Sequence, residues 1–379
     1  MVNMGELFAH PRILGVPMDR VLLDGLERSR YLLQPGDLLF ARQSLVLAGA
    51  GKCSIFVGDD EPVTFESHLI RARLDRVAAD PDFYYYYFTS PPGRASIRSI
   101  VEQVSAAGIR GRDLAKLPVP MPPLETQREV ARTLRTLDDR IELNRRMSRT
   151  LESIARAIFK SWFVDFDPVR RKMEGGEVGL PPDIAALFPS TFSEAALGAV
   201  PSGWGAGEVG DLVELCYGKS LRERDRHAGG VPVFGSNGQI GWHDQALVRG
   251  PGVVVGRKGK PGTVTWSEDD FFVIDTAFYA SPKRGLGDLH HVFYTLNRLD
   301  LQSLTADSAV PGLNRTIASR TAVLIAPLEV SAAFSRIVAP IHAKVASNAR
   351  EAALLAMTRD ALLPELLRGE LPIRRGPLG

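Results

Sequence analysis

The stretch Gly108-Ile109-Arg110-Gly111-Arg112, followed by Pro118, Pro120, Pro122, Pro123-Leu124-Glu125, decides the reading of this chain, because its two ends recur at one constant offset. Gly312-Leu313 repeats Gly108-Ile109, and Pro327-Leu328-Glu329 repeats Pro123-Leu124-Glu125, both 204 positions later. The same offset, without a gap, relates Asn144 to Asn348, Leu151 to Leu355 and Ala157 to Ala361. Solenoid units run to roughly 20–50 residues. A period this long means two whole modules, each a globular part followed by a helix. A chain of two similar halves suits a pseudo-symmetric target, and duplex DNA is one.

The prolines forbid helix before Leu124. Beyond them apolar positions step by three and four: Val130, Leu134, Leu137, Ile141, Asn144, Ser148, Leu151, Ala155, Ile158, Trp162. This is a heptad seam without an internal Gly or Pro, and it predicts one strand of a coiled coil. At about 1.5 Å per residue the rod is about 60 Å long. It is expected to end near Phe163, where Asp165-Phe166-Asp167-Pro168 breaks the pattern. The second helix is expected from about Glu329 to Leu367, on the seam Phe334, Val338, Ile341, Val345, Asn348, Ala352, Leu355, Leu362, Leu366. Pro340 is expected to kink it, and Pro364 to kink or end it. If the globular parts sit at opposite ends, the two helices run antiparallel.

An asparagine on an apolar seam costs stability and fixes register. Asn144 and Asn348 are therefore read as a register pair whose amides satisfy each other; the alternative is that each faces water at the seam's edge.

The globular parts read as short strands and loops. Asp37–Ala41, Ser54–Val57 and His68–Ile70 are strand-like in the first, and Gly252–Val255 and Thr263–Trp266 in the second. Asp82–Phe88 is expected to be a helix, since Val292–Leu296 sits at the corresponding place and continues into helix-compatible residues. The domains follow: 1–119 globular, 120–163 helix, 164–197 connector with a short helix near Asp183–Leu187, 198–326 globular, 327–379 helix and tail. The fold class is α+β, with two pseudo-repeated α/β domains and two long helices.

At 379 residues the chain can build two cores. The hydrophobic share of 45% and charged share of 24% are ordinary for a globular protein, and the net charge of +2 leaves any basic surface local. Cys53 and Cys216 stand alone without metal-ligand spacing, which suits a reducing cytosol and small buried side chains. Neither a signal peptide nor an apolar run of about 18 residues is visible, so a cytoplasmic protein without membrane spans is expected.

Cations, small polar residues and glycines concentrate at Lys219, Arg222, Arg224 and Arg226, at Phe234-Gly235-Ser236-Asn237-Gly238, and at Gly256-Arg257-Lys258-Gly259-Lys260. Glycines let backbone approach a ligand closely, and Arg, Lys, Asn and Ser contact phosphates or base edges. The first half echoes this with Arg42-Gln43-Ser44 and Gly51-Lys52. The competing reading is an ordinary solvated loop. Asn314-Arg315, at the repeat position of Arg110-Gly111 with Arg112 beyond, either touches DNA or pins the globular part to its helix. Ala48–Cys53 is not a phosphate-binding loop, because Val46 and Cys53 replace its required glycine and hydroxyl. His290-His291 lacks ligand partners at metal spacing. No catalytic constellation, cofactor loop or metal site is present in the pattern.

The chain resembles the specificity subunit of a type I restriction–modification system. The resemblance is carried by Pro122-Pro123-Leu124-Glu125 with Gln127-Arg128, Leu137-Asp138-Asp139-Arg140-Ile141-Glu142-Leu143-Asn144, and Phe159-Lys160-Ser161-Trp162-Phe163-Val164-Asp165-Phe166-Asp167-Pro168. Further carriers are Gly235–Gly238, Gly256–Gly259, Ile274-Asp275-Thr276, Asp307–Arg315, and the tail Arg359–Pro364 with Gly369-Glu370-Leu371. It implies two target recognition domains, each reading half of a bipartite double-stranded DNA site, and an antiparallel coiled coil acting as a ruler between them. It also implies that two methylation subunits dock here and that restriction subunits join the full complex. One departure stands out: with Arg257 aligned to Arg42, Pro201–Tyr217 has no counterpart in the first half, so the first recognition domain is expected to lack its opening segment.

Overall fold

The computed structural model describes residues 1–103, 107–195, 198–283, 288–304 and 312–369. The Asp307–Pro311 part of the repeated motif and the tail beyond Gly369 lie outside the described residues. Two helices dominate, Leu124–Phe163 and Leu328–Arg368. The first starts directly after the proline run and stops at the predicted break. The second runs through both Pro340 and Pro364, so Pro364 does not end it. Each proline removes one N–H from the ladder. Helical packing of buried Val338, Leu363 and Leu366 on either side outweighs those two missing bonds.

The chain divides into two compact units, 1–143 with 351–379, and 144–350. Each therefore contains one globular part and a segment of both long helices. In the first unit Arg359 pairs with Asp138 at 2.6 Å and Arg140 with Glu351 at 2.9 Å. In the second, Asn348 Nδ2 donates to Ser148 Oγ at 3.3 Å. Within each unit, residue numbers rise along one helix segment as they fall along the other, so the paired segments are antiparallel.

The first unit carries a four-stranded sheet in the order Arg12–Leu14, Cys53–Gly58, Leu38–Ala41, Leu69–Ala72. The second carries Val264–Ser267, Gly252–Gly256, Ala277–Pro282, Val213–Tyr217. Three strands correspond. Ala41 N donates to Lys52 O and Gly51 N to Ala41 O, as Gly256 N does to Thr263 O and Gly262 N to Gly256 O. Arg42 N donates to His68 O, as Arg257 N does to Thr276 O; Ile109 N donates to Arg42 O, as Leu313 N does to Arg257 O. The fourth strand differs. Val213–Tyr217 flanks Ala277–Pro282, whereas in the first unit the extra strand, Arg12–Leu14, lies parallel to Cys53–Gly58 at the opposite edge.

Aromatic helices seat each sheet on the long helices. Pro81–Thr89 forms because Asp80 caps it, accepting from Phe83 N, and Pro81 stands at its first turn. Its six residues Phe83–Phe88 are all buried, in one core with Phe40, Ile55, Val130, Leu134, Leu363 and Leu366. In the second unit Leu289–Arg298 takes the same place, capped by Asp288. There Tyr294 packs with Phe159, Trp162, Phe163 and fully buried Phe334. Losing Phe334 to alanine would cost about 3–5 kcal/mol.

The connector is more structured than expected. Besides the short helix Pro182–Ala185 it holds a helix, Asp167–Met173, whose first turn accepts Pro168. Val169, Phe188 and Trp204 join the aromatic core of the second unit.

Both seam asparagines are buried, at 2% and 1% exposure, so neither faces water. Their amides do not satisfy each other as expected: Asn348 bonds Ser148, while Asn144 Nδ2 and Asn348 Oδ1 have no protein partner. The seam serine, one turn beyond Asn144, reaches the amide first. Cys53 and Cys216 are free thiols, and burial pushes both thiols up.

Candidate nucleic-acid interface

In the second unit the basic segment closes into one surface. Ser236 and Asn237 form the turn between strands Val231–Gly235 and Gly238–His243. Arg257 leaves the strand Gly252–Gly256 and opens a short loop that returns at Gly262. Gly256 has to be glycine: a Cβ there would lie 2.6 Å from Ser236 O and 2.4 Å from Lys260 O. That close approach holds the Arg257–Lys260 loop against the Ser236 turn. Gly218 meets the backbone of Val273 and Ile274 in the same way, and Lys219 N donates to Val273 O. Lys258 bridges to Gly312, which brings the Asn314-Arg315 corner alongside.

The guanidiniums are held in place. Arg257 Nε donates to Asp275 O at 3.1 Å, and its head stacks over Tyr217 at 5.3 Å and Phe278 at 6.0 Å. Arg315 covers the Tyr217 ring at 5.1 Å. Tyr217, half exposed, thus orders two cations that would otherwise sample many rotamers. Lys219, Asn237, Lys258 and Lys260 are exposed, and Ser236 and Arg257 are partly so. Asn314 caps the helix Arg315–Ser319, accepting from Thr316 N and Ile317 N. Leu313 and Asn314 thus fix the local backbone of the corner, and Arg315 is exposed.

The first unit repeats the corner with other chemistry. Arg42, Arg110 and Arg112 line a cavity of about 510 Å³ with Leu69, Ile70 and Gly111. Arg110 is paired with Glu102, and Arg112 with Asp113 at 3.6 Å. Ile70 stands where the second unit has Phe278, and the strand that carries Tyr217 has no counterpart beside it. Lys52 is not part of this group. Its Nζ donates to Phe8 O at 2.9 Å and lies 4.7 Å over the Phe8 ring, and burial with nearby Arg94 lowers its pKa. It anchors the loop base.

Tyr217 escaped the sequence reading. Its only signal was an aromatic residue just before Gly218-Lys219. His290 and His291 are structural: His291 is buried and its pKa is lowered to about 4, while His290 lies beside Asp288 and against Trp266. Among the described residues no cluster of His, Cys, Asp and Glu has metal-holding geometry, and no helix is long and apolar enough to cross a membrane.

Residues 26–153 match the type I restriction modification DNA specificity domain. The type I restriction enzyme HindI specificity subunit of Haemophilus influenzae is 23% identical over 91% of this chain and 88% of its own length. The MjaIX specificity subunit of Methanocaldococcus jannaschii is 22% identical over 77% of this chain and 69% of its own. The EcoKI specificity subunit of Escherichia coli is 34% identical, over 29% of this chain and 24% of its own. In fold, the chain is similar to the crystal structure of a type I restriction–modification S subunit from M. genitalium, with a TM-score of 0.56 at 17% identity over 94% of this chain and 88% of the other. The chain thus carries a match to the DNA specificity domain over residues 26–153 and is similar over most of its length to type I restriction enzyme specificity subunits.

Proposed function

We propose that each unit reads one half of a bipartite duplex DNA site, and that the paired long helices fix the number of base pairs between the halves. The observation that carries this reading is the duplicated corner: Arg42 with Ile109 and Arg257 with Leu313 are built on the same backbone bond, and each is surrounded by cations. In the second unit Arg257, Lys258, Lys260, Lys219, Arg315, Ser236 and Asn237 meet DNA. In the first unit Arg42, Arg110 and Arg112 do. Phosphate contacts from the lysines set position, and ordered Arg257 reads a base edge. The chain brings no methylation or cleavage chemistry, so methylation subunits dock on it, two per chain, and restriction subunits complete the nuclease. The bond between Ser148 and Asn348 keeps the helices in register, because sliding either one would break it and strand the buried Asn348 amide nitrogen.

The test lengthens both helices by one heptad near Asn144 and Asn348, which preserves the buried seam. Seven residues add about 10 Å at about 1.5 Å each. With about 3.4 Å per base pair, the spacer in the methylated motif should grow by about three base pairs, and the half-site sequences should stay the same. The readout is methylation mapping of a host that carries the elongated subunit and its methylation partner. An active complex that keeps the original spacing would refute the ruler.

A further inference from the structure

The loop that leaves strand Leu38–Ala41 occupies the place of the Arg257–Pro261 loop, as the matching bonds of Ala41 with Lys52 and of Gly256 with Thr263 show. It is longer, and its tip is not basic. Leu45, Val46 and Leu47 are 98%, 64% and 48% exposed. Single exposed apolar residues need no explanation, but three in succession at one tip keep a contiguous apolar surface in water. The return side of the stem is braced. Arg94 donates to Gly51 O and Ala48 O, both at 2.8 Å, and to Ala50 O at 3.3 Å. Ser44 Oγ accepts from Val46 N, and Gly49 N donates to Val46 O. At the foot of the loop stand Arg42, Arg110 and Arg112.

We infer that Leu45, Val46 and Leu47 form an apolar wedge that enters duplex DNA at one base step and unstacks it, while the arginines at its foot hold the neighbouring phosphates. Apolar wedges of this kind are a general means by which proteins kink a duplex. Charge complementarity selects DNA over an apolar protein partner, since the tip rises beside Arg42, Arg110 and Arg112 on the loop that corresponds to Arg257–Pro261, and the exposed pairs Arg110–Glu102 and Arg112–Asp113 are weak enough to yield to phosphate. The first unit also has no ring at the place of Tyr217, so it engages its half-site differently from the second. The inference rests on the DNA-reading role proposed above.

The experiment uses the full chain bound to its methylation partner, and a duplex bearing the motif mapped in the host, with 2-aminopurine placed singly at each position of both half-sites. The wild-type complex should raise the fluorescence several-fold at one step of the first half-site. The Leu45→Ser, Val46→Ser, Leu47→Ser variant should lose that rise and bind the motif on the order of tenfold more weakly, from the apolar burial forgone. Its salt dependence should stay unchanged, because no phosphate contact is removed. A rise that survives in the variant, or no rise at any position in a wild-type complex that binds the motif, overturns the wedge. A variant that no longer assembles with the methylation subunit overturns it too, and assigns the tip to a protein contact. A wild-type complex that does not bind the motif overturns the DNA-reading role itself.

Discussion

Replacing Arg359 with alanine should cost the first unit about 2–4 kcal/mol. Asp138 lies on the first long helix with its side chain 8% exposed. It accepts from Arg359 Nη1 at 2.6 Å on one oxygen and from the Tyr86 hydroxyl at 2.8 Å on the other. One carboxylate thus ties the aromatic helix Pro81–Thr89 to both long helices. Removing one partner of a fully buried pair costs about 3–5 kcal/mol, because the other charge is left stranded. Arg359 is 28% exposed, so water reaches part of the gap, and the expectation falls to the lower end. Arg140→Ala is the internal control. It breaks the pair with Glu351, whose side chains are 57% and 36% exposed, and such pairs contribute about 0–1 kcal/mol. Tyr86→Phe leaves the ion pair and removes one hydrogen bond to a charged group, a loss of about 1.5–3 kcal/mol. Replacing Asp138, Arg359 and Tyr86 together by apolar residues of similar shape should recover most of the stability, because the buried carboxylate is removed along with its partners. Urea unfolding gives the sizes. Hydrogen exchange should place the loss in residues 81–89 and 124–143. If Arg359→Ala costs no more than Arg140→Ala, the buried tie does not hold this domain on its helices.

Stability should fall as the pH drops through the window from about 6.5 to about 4. Burial holds His291 and His342 at about 4 in the fold against an ordinary 6.5, so the unfolded chain binds protons there that the folded one refuses. For His291 this amounts to about 3 kcal/mol, fully present above 6.5; His291→Phe should flatten that part of a urea-midpoint profile against pH, and an unchanged profile would refute the assignment. Arg257→Ala should weaken specific binding by about 1–3 kcal/mol if it reads a base, whereas a phosphate contact would give equal losses on all sequences and a salt slope smaller by about one. Tyr217→Leu should weaken binding without changing that slope, and if neither variant alters binding this surface does not face DNA.

The long helices were legible in the sequence because their signals are local: prolines forbid helix before Leu124, and an apolar seam repeats down to Phe163. The strand cores were legible for the same reason. The fate of Pro340 and Pro364 was not, because whether a missing bond stops a helix depends on packing contributed by residues far away in sequence. The same limit hid Tyr217, whose role comes from strands Val213–Tyr217 and Ala277–Pro282 lying side by side, and it misplaced Lys52, whose partner is the carbonyl of Phe8. It also gave Asn348 a partner other than Asn144.

The hydroxyl ties show how the two modules diverged. Tyr86 bonds Asp138 in the first, and Tyr294 bonds His342 Nε2 at 2.8 Å in the second. Asp138 and His342 are 204 positions apart, the same offset that relates the two asparagines. Read by residue type they are a mismatch, a carboxylate against an imidazole. In space they do the same thing, since each accepts or shares the proton of a tyrosine presented by the domain's aromatic helix. The carboxylate needs a cation, and Arg359 supplies it. The imidazole is neutral, with its pKa lowered to about 4, and the position repeating Arg359 is accordingly Ala155, fully buried. The two charges are thus present together in the first module and absent together in the second, as a buried pair requires, because either one alone would be an uncompensated charge inside the joint.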